Sequence, residues 1–556
     1  MTEPLDALKL ASLVSQPVFI SLLDESVVAG HTARADGPLA GIPFAVKDNI
    51  DVAGVPSTAG CPARTEPATE SAVAVRRLMA AGAVPIGKTN MDQFATGLVG
   101  TRSPYGACHS VASSEHISGG SSSGSALAVA LGIVPLALGT DTAGSGRVPA
   151  ACNGVVGMKP SRGLVSTRGV LPACPSLDCV TTFTRTVTDA RAAIDVLVGH
   201  DPADPYARPM PACLPIGVAR RMGVIAVPDG PLDLDPAHEQ AWRAAIAHAA
   251  TVARLVPVDV TPFLAAARLL YDAPFVAERL AAFGHSLRRD SEHIDPTVRD
   301  IVLGAQRYTA ADAFRGMHEL AALAQSAATV FAGADVLLLP VTPGHPTIAE
   351  VALDPVGVNT WLGTYTNMVN LLDLCAIALP AGDRHDGLPF GVQLIAPAFA
   401  DRPLLDLAAR WTGEPAALPV IPPDWSLLAV AGAHLTGQPA NGQLVELGGR
   451  LHSRARTAGG YRMYRVPGPF PRPGLIHTGD GPAGGIEVEV WELPTAGIVT
   501  MMSLVDPPLH LGPLTLDDGS RVTGFLADTR CANATDDITA HGSWRAHLTS
   551  LQLPTT

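Results

Sequence analysis

The segment Gly139-Thr-Asp-Thr-Ala-Gly-Ser-Gly-Arg-Val-Pro149 indicates both the fold class of this chain and its chemistry. It follows Val134–Leu138, an apolar run that predicts a buried strand, so Ser145 falls in a turn just past a strand end. Open α/β sheets bind ligands at such ends. Glycine has no Cβ, so the surrounding backbone N–H groups can approach a ligand closely. The pattern therefore predicts a serine nucleophile beside backbone donors, as acyl transfer requires.

Two upstream segments supply a second hydroxyl and an amine. The run His116-Ile-Ser-Gly-Gly-Ser-Ser-Ser-Gly-Ser-Ala126 places Ser121 at the start of a predicted helix, and Gly41-Ile-Pro-Phe-Ala-Val-Lys-Asp-Asn49 ends an apolar strand on Lys47. Serine needs a base, and burial lowers the pKa of a lysine so that it can act as one. A Gly/Ser run also fits a flexible or phosphate-binding loop. It lacks the Gly-Lys-Ser/Thr ending of a P-loop, however, and neither Ser121 nor Ser145 is the central serine of a GxSxG elbow.

Further motifs accompany these three residues. They are Lys88-Thr-Asn-Met-Asp-Gln-Phe94, Gly157-Met-Lys-Pro160, Ser176-Leu-Asp178 and Gly387-Leu-Pro-Phe-Gly-Val-Gln393. As a set they resemble the amidase signature family over roughly residues 20–410.

The resemblance implies a Ser–cis-Ser–Lys triad. Lys47 would be the base, Ser121 the bridging serine and Ser145 the nucleophile. The backbone N–H groups of Thr142, Ala143 and Gly144, together with that of Ser145, would form the oxyanion hole. The family uses no metal or organic cofactor, so none is expected here.

Helical and strand patterns alternate along the chain. Thr69–Ala81 has helical spacing and precedes the apolar stretch Ala83–Gly87, and Ser125–Leu131 likewise precedes Val134–Leu138. This rhythm predicts an α/β fold with strands buried on both faces. The resemblance implies more specifically the amidase signature fold, a mixed central sheet covered by helices.

The composition and residue pattern of the sequence change near residue 413. The Pro-rich stretch Gly413-Glu-Pro-Ala-Ala-Leu-Pro-Val-Ile-Pro-Pro-Asp424 predicts a linker. Beyond it, three segments have strand-like patterns: Leu427–Ala431, Gln443–Leu447 and Ile486–Leu493. We therefore expect an amidase signature domain over 1–412, a linker over 413–425 and a smaller β-rich α+β domain over 426–556.

Tyr271 and Arg279 are the candidates for substrate binding. On one helix, residues eight apart lie about two turns apart on similar faces, and an arginine with a phenol suits a small carboxylate. The segment resembles the Tyr…Arg clamp of allophanate hydrolases, a branch of the family. Alternatively, Arg279 pairs with Glu278 or Asp272 on a solvated helix.

The C-terminal segments Val430–Leu435 and Ile486–Pro494 resemble the second domain of allophanate hydrolases, which is similar in fold to γ-glutamylcyclotransferases. The resemblance implies that this domain helps to decarboxylate N-carboxycarbamate. His434 is the candidate acid/base, with Glu487 or Glu492 as weaker candidates. A lone histidine can equally be structural.

Charge and hydropathy argue against nucleic acid and membrane as binding partners. The net charge of −13 argues against a nucleic-acid surface. The apolar run Ala126–Leu138 is too short for a membrane span and is interrupted by Gly132 and Pro135. Acidic residues near the N-terminus do not fit a secretory signal, so a cytoplasmic location is expected. The resemblance implies a homodimer.

Together these features predict hydrolysis of a small molecule, allophanate. The alternatives are a broad-specificity aliphatic or aryl amidase and an amidotransferase A subunit. A catalytically inactive binding scaffold is disfavoured because Lys47, Ser121 and Ser145 are all present.

Overall fold

The computed structural model describes residues 3–211, 222–272, 274–289, 291–415, 425–466 and 472–552. These residues divide into two compact units, a larger one within 3–415 and a smaller one from 425 onward. Residues 416–424, most of the predicted linker, lie outside the described residues.

The larger unit contains one extended sheet and a two-stranded ribbon. Its strands are β1 (Phe19–Leu22), β2 (Pro43–Lys47), β3 (Val84–Thr89), β4 (His109–Ser110), β5 (Ser113–Ile117), β6 (Leu136–Asp141), β7 (Val156–Lys159), β8 (Cys179–Thr184), β9 (Val224–Pro228), β10 (Arg254–Val258), β11 (Val336–Pro340), β12 (Leu374–Asp383) and β13 (Pro389–Pro397). Within the described ranges the sheet has 11 strands in the order β1-β3-β2-β6-β8-β7-β12-β13-β11-β9-β10. Pairing is parallel at β3-β2-β6 and antiparallel at β6-β8, so the sheet is mixed.

Helices cover this sheet. They are α1 (Pro4–Leu13), α2 (Glu25–Thr32), α3 (Val73–Ala80), α4 (Ser123–Ala130), α5 (Arg147–Cys152), α6 (Val187–Leu197), α7 (Pro236–Val252), α8 (Thr261–Asp272), α9 (Ala277–Arg289), α10 (Pro296–Gly304), α11 (Ala310–Ala328), α12 (Ile348–Leu353), α13 (Gly357–Leu362), α14 (Asn367–Leu371) and α15 (Asp401–Thr412). Every residue of β2, β3 and β6 is buried, as expected for strands covered on both faces. The predicted fold class is confirmed.

The first predicted helix begins later than its pattern suggested. Helix α3 starts at Val73 rather than Thr69, because Ala72 has extended backbone angles. The hydroxyl of Ser71 accepts from the N–H of Ala53, which holds this stretch as a loop.

The smaller unit is β-rich. It contains β14 (Trp425–Val430), β15 (Arg450–Arg456), β16 (Tyr461–Val466), β17 (Arg472–His477), β18 (Glu487–Pro494), β19 (Leu509–Thr515) and β20 (Arg521–Ala527), with α16 (Asn441–Glu446), α17 (Thr495–Leu504) and α18 (Trp544–Gln552). Among its described residues a 7-stranded sheet runs β15-β18-β14-β20-β17-β16, with β19 paired to β20. Trp491 and Leu451 lie in its core.

One predicted strand of this unit is wrong. Gln443–Leu447 falls largely in helix α16. Leu444 is buried while Val445 is exposed, so one side chain packs inward from a single turn of helix. An alternation of so few residues fits either structure.

No helix within the described ranges is long and apolar enough to cross a bilayer.

Candidate active site

Lys47 ends strand β2 with its amine buried inside the larger unit. Its Nζ donates to the Oγ of Ser121 at 2.8 Å and to the Oγ1 of Thr140 at 2.8 Å. Thr140 belongs to β6, which pairs in parallel with β2, so adjacent strands bring the two side chains together. Burial lowers the pKa of Lys47 to about 7, although Asp92, Asp178 and Asp141 act in the opposite direction. A large fraction of this amine is therefore neutral near pH 7.

Ser121 follows a cis peptide bond from Gly120 and lies two residues before the start of α4. Its carbonyl accepts from the N–H of Asp92 at 3.1 Å. The Asp92 carboxylate accepts from the N–H groups of Gly100 at 3.0 Å and Arg102 at 2.9 Å. A Cβ on Gly120 would overlap this carboxylate, so only glycine fits. Asp92 thus fixes the backbone that carries Ser121.

Ser145 lies in the turn between β6 and α5, as predicted. Its Oγ donates to the carbonyl of Gly97 at 3.5 Å, and its own carbonyl accepts from the N–H of Ser122 at 3.3 Å. The backbone contact with Ser122 places the turn against the segment that carries Ser121. The tertiary structure therefore brings together the three segments of the predicted triad.

The predicted oxyanion residues precede Ser145. The backbone N–H groups of Thr142, Ala143 and Gly144 donate to no other group within the described part of the chain. Gly144 has φ +144°, and a Cβ there would overlap the side chain of Thr366, so this position also requires glycine. These N–H groups remain available to a ligand.

A buried aspartate supports the same turn. The hydroxyl of Thr142 donates to Asp178 at 2.5 Å, and the N–H of Ala173 donates to the other carboxylate oxygen at 2.8 Å. Burial raises the pKa of Asp178 to about 6, against the effect of its hydrogen bonds. Asp178 therefore holds the start of the oxyanion segment.

An ion pair lies within the same turn. The guanidinium of Arg147 donates to both oxygens of Asp141, at 2.9 and 3.0 Å, and both side chains are fully buried. Arg147 also donates to the Oε1 of Gln393 at 2.8 Å and to the carbonyl of Thr366. This network ties the ends of the Ser145 turn to β13.

Tyr271 and Arg279 meet, but not in the way the spacing predicted. They do not share a helix: α8 ends at Asp272, a 3-10 turn spans Pro274–Val276, and α9 begins at Ala277. Proline lacks the N–H that a continuous helix would use, which accounts for the break. The two side chains converge across it, with Arg279 Nη2 donating to the Tyr271 hydroxyl at 3.3 Å.

The solvated ion pair considered for Arg279 is not present with Glu278. Arg279 is only 1% exposed, and Glu278 instead accepts from the N–H and hydroxyl of Ser176. The Asp272 side chain lies outside the described residues. Burial acts to lower the pKa of Arg279, but Tyr271, Cys174 and Asp178 together raise it, so the side chain is a permanent cation.

Arg279 reaches the loop that contacts the candidate nucleophile. It donates to the carbonyl of Ala95 at 3.3 Å and to the Oγ1 of Thr96 at 3.2 Å. The next residue, Gly97, accepts from Ser145. Tyr271 also packs on the cluster that includes Ala143, and it lines a cavity of about 520 Å³.

His434 lines a pocket of about 180 Å³ in the smaller unit. Its Nε2 bonds to the Oε1 of Gln443 at 2.9 Å, and its ring stacks on Phe525 with centroids 4.8 Å apart. Burial lowers the pKa of His434, while the bond to Gln443 partly opposes this. With Nε2 held by Gln443, Nδ1 is the nitrogen left for a ligand. The full lining is Val430, Ala431, Gly432, Ala433, His434, Gln443, Arg472, Pro473, Leu504, Val505, Asp506, Leu509 and Phe525.

Neither glutamate suggested beside His434 lines this pocket. Glu492 pairs with Arg450 at 2.5 Å, and Glu487 pairs with Arg545 at 3.4 Å. Sequence reasoning missed Glu489, which lies between them on β18 and is fully buried. It accepts from the N–H of Thr436 at 2.7 Å and so anchors the loop that carries His434.

The other residues that sequence reasoning left without a role are Thr140, Asp92, Asp178 and Arg147. All four lie inside the recognised sequence motifs, but a motif does not indicate which of its residues contacts Lys47, Ser121 or the turn that carries Ser145. The sequence signal that could have identified such a residue is a charged side chain within a run of small and apolar residues, such as Arg147 before Val148-Pro149.

Comparison with known proteins identifies the family of this chain. The amidase family model matches residues 23–405, and the model described as the allophanate hydrolase C-terminal domain matches residues 426–549. The chain is 40% identical over 581 residues to a urea amidolyase of Lachancea kluyveri, covering 97% of this chain and 32% of that protein. It is 41% identical over 555 residues to the urea amidolyase of Saccharomyces cerevisiae, covering 93% and 30%. The chain thus spans about a third of the length of these curated relatives.

A solved structure matches over nearly its whole length. SeMet-substituted Kluyveromyces lactis allophanate hydrolase has a TM-score of 0.73 and 38% identity, covering 99% of this chain and 97% of that one. The likeness therefore extends over both units.

Proposed function

Because the chain belongs to the amidase family, we propose that it is an allophanate hydrolase that cleaves urea-1-carboxylate by acyl-enzyme chemistry. The observation that carries the proposal is the buried Arg279–Tyr271 pair, which reaches through Thr96 to the loop beside Ser145. A family amidase with a permanent buried cation near its nucleophile suits an amide that carries a carboxylate. The match of residues 426–549 to the allophanate hydrolase C-terminal domain gives independent support.

The first step uses the triad. Neutral Lys47 takes the proton of Ser121, which takes that of Ser145, and Ser145 Oγ attacks the terminal amide carbon. The N–H groups of the oxyanion segment stabilise the negative charge that develops on oxygen. Ammonia leaves with one proton, and water then hydrolyses the acyl-enzyme to N-carboxycarbamate. Tyr271 and Arg279 orient the substrate through its carboxylate.

The second step belongs to the smaller unit. His434 protonates the nitrogen of N-carboxycarbamate as the bond to one carboxylate breaks, which gives CO2 and carbamate. Carbamate then decomposes to ammonia and CO2. The pocket around His434 supports this assignment, since it offers one imidazole nitrogen inside a small enclosed space.

We propose the predicted boundaries for these units: an amidase signature domain over 1–412, a linker over 413–425 and a C-terminal domain over 426–556. We also propose a homodimer, which the family resemblance supports, and the cytoplasmic location expected from the sequence. Light scattering of the purified chain tests the dimer, and cell fractionation tests the location.

Ammonia release from allophanate, biuret, malonamate, acetamide and glutamine tests the substrate. We expect strong preference for allophanate and no release by Ser145→Ala. Equal rates with acetamide and allophanate would favour a broad-specificity amidase instead.

Product stoichiometry tests the division of labour. The intact chain should release two ammonia per allophanate in an ammonia assay, while carbon-13 NMR should show both carbons of allophanate reaching CO2. His434→Ala should release the first ammonia normally but accumulate N-carboxycarbamate. Full products at the rate of the unaltered chain would assign His434 a structural role.

A further inference from the structure

The His434 pocket contains a single permanent positive charge. Among the described residues that line it, Arg472 is the only arginine or lysine and Asp506 the only carboxylate. Most of the remaining lining is apolar and includes Phe525, Leu509 and Val505. In such low-dielectric surroundings an anion binds only where a cation compensates for the loss of water.

Close packing sets Arg472 beside the His434 loop. Arg472 begins β17 and is followed by Pro473. Gly432, two residues before His434, lies so close to Pro473 that a Cβ on the glycine would overlap the proline ring. The His434 loop and the start of β17 are therefore packed directly together, and the two functional side chains share one small cavity.

We infer that this pocket is a binding site for a small dicarboxylate and that Arg472 holds the carboxylate that remains after decarboxylation. The inference rests on the proposed function and adds its substrate-binding residue. A planar guanidinium binds a carboxylate with two parallel hydrogen bonds. A carboxylate held in this way is stabilised, so it is not the one that departs.

The departing carboxylate is then left to the apolar part of the lining. Its charge is poorly solvated there, and the negative charge of Asp506 in the same pocket disfavours it further. Both effects are relieved when the C–N bond breaks, CO2 leaves, and the electron pair stays on nitrogen. His434 Nδ1 supplies the proton to that nitrogen, so the imidazolium becomes neutral as the carbamate forms. A bound dianion raises the pKa of His434 and so provides the acid form.

The test uses the full chain and follows both products from carbon-13 allophanate. Arg472→Met should leave the first ammonia unchanged and slow CO2 formation on the order of a hundredfold, because it removes one partner of a buried charge pair. Arg472→Lys keeps the charge but loses the two parallel hydrogen bonds of a guanidinium. Its rate of CO2 formation should therefore lie between the rates of Arg472→Met and the unaltered chain. Arg530→Met is the matched control: Arg530 pairs with Asp528 on the surface, its side chain is 88% exposed, and it does not line the pocket.

The outcomes separate this inference from the function on which it rests. If His434→Ala and Arg472→Met both form CO2 at the rate of the unaltered chain, neither residue takes part in decarboxylation, and the proposed function loses the assignment of its second step to this pocket. If His434→Ala accumulates N-carboxycarbamate while Arg472→Met does not, the second step stands and the role of Arg472 is overturned.

Binding provides a readout that does not depend on turnover. Malonate has a methylene group in place of the substrate nitrogen, and its titration into the Ser145→Ala chain should shift the imidazole NMR signals that His434→Ala removes. Arg472→Lys, in a chain whose unfolding temperature is unchanged, should weaken that effect. An equal malonate response in the Lys variant and in the parent would overturn the inference.

Discussion

The amine of Lys47 lies 2.8 Å from the hydroxyl of Ser121, with both side chains fully buried. The pair forms across 74 residues of sequence, at the point where β2 ends and α4 begins. Because burial lowers the pKa of Lys47 to about 7, this contact joins the hydroxyl to an amine of which a large fraction is neutral near pH 7.

Ammonia release should rise with pH through about 7, since the base form of Lys47 accumulates there. Below that pH, kcat/KM should fall about tenfold per unit. Rapid-quench measurement of acyl-enzyme formation between pH 5 and 9 checks this. A rate that is flat over this range would exclude Lys47 as the titrating base.

The free energy of unfolding should also depend on the ionisation of Lys47, and the low pKa of Lys47 fixes the direction of that dependence on pH. Lys47 binds its proton less tightly in the folded chain than in the unfolded chain, where a lysine has its ordinary pKa of 10.5. The unfolded state therefore binds more protons between about 7 and 10.5, and the free energy of unfolding should rise with pH across that window. Lys47→Met should remove this contribution, so urea unfolding of the two chains should differ in slope against pH. Parallel profiles would contradict the low pKa.

Thr140→Val should impair the triad while preserving side-chain shape. It removes the hydroxyl that accepts from Lys47, so the amine loses a bond that favours its charged form and its pKa should fall further. We expect the pH profile to move toward acid and acylation to slow by about tenfold, near the value of one hydrogen bond. Thr182→Val is the control, because the buried Thr182 hydroxyl has no partner among the described residues. Equal losses in both variants would mean that packing alone is responsible.

Arg279→Lys and Tyr271→Phe should reduce allophanate hydrolysis more than hydrolysis of neutral amides. Removing a donor to a buried carboxylate costs about 2–5 kcal/mol, or about 30-fold or more. Arg279 also supports Ala95 and Thr96, so Arg279→Ala alone would disturb the Ser145 surroundings as well. Thr96→Val measures that indirect part, since it removes only one of those bonds. A similar fall on acetamide and allophanate in Tyr271→Phe would make the pair structural.

Glu489→Gln should slow the second step by displacing the His434 loop. The carboxylate accepts from Thr436 and from Arg545 at 3.0 Å, and losing its charge should destabilise the C-terminal unit by about 1–3 kcal/mol. Glu487→Gln is the matched control on the same strand, because Glu487 is partly exposed and its carboxylate pairs with Arg545 at a longer distance of 3.4 Å. CO2 formation and thermal unfolding should both separate the two variants. Equal behaviour would remove the positioning role of Glu489.

The sequence alone determined the family and the fold class. Lys47, the Ser121 run and the Ser145 turn each lie in short segments whose small residues and apolar strands are recognisable locally. The match over residues 23–405 confirms the resemblance. A local pattern suffices there because strand burial, tight turns and close backbone approach depend on residues near in sequence.

The tertiary structure decided what depends on distant contacts. Tyr271 and Arg279 meet across a break between two helices rather than along one helix. Gln443–Leu447 lies largely in a helix, in which the Leu444 side chain is buried in the core. Glu489, rather than Glu487 or Glu492, supports the His434 loop because its carboxylate accepts from the N–H and the hydroxyl of Thr436. The low pKa of Lys47 likewise follows from complete burial between β2, β6 and the Ser121 segment. Burial and long-range hydrogen bonds are properties of the packed chain, so spacing along the sequence could not supply them.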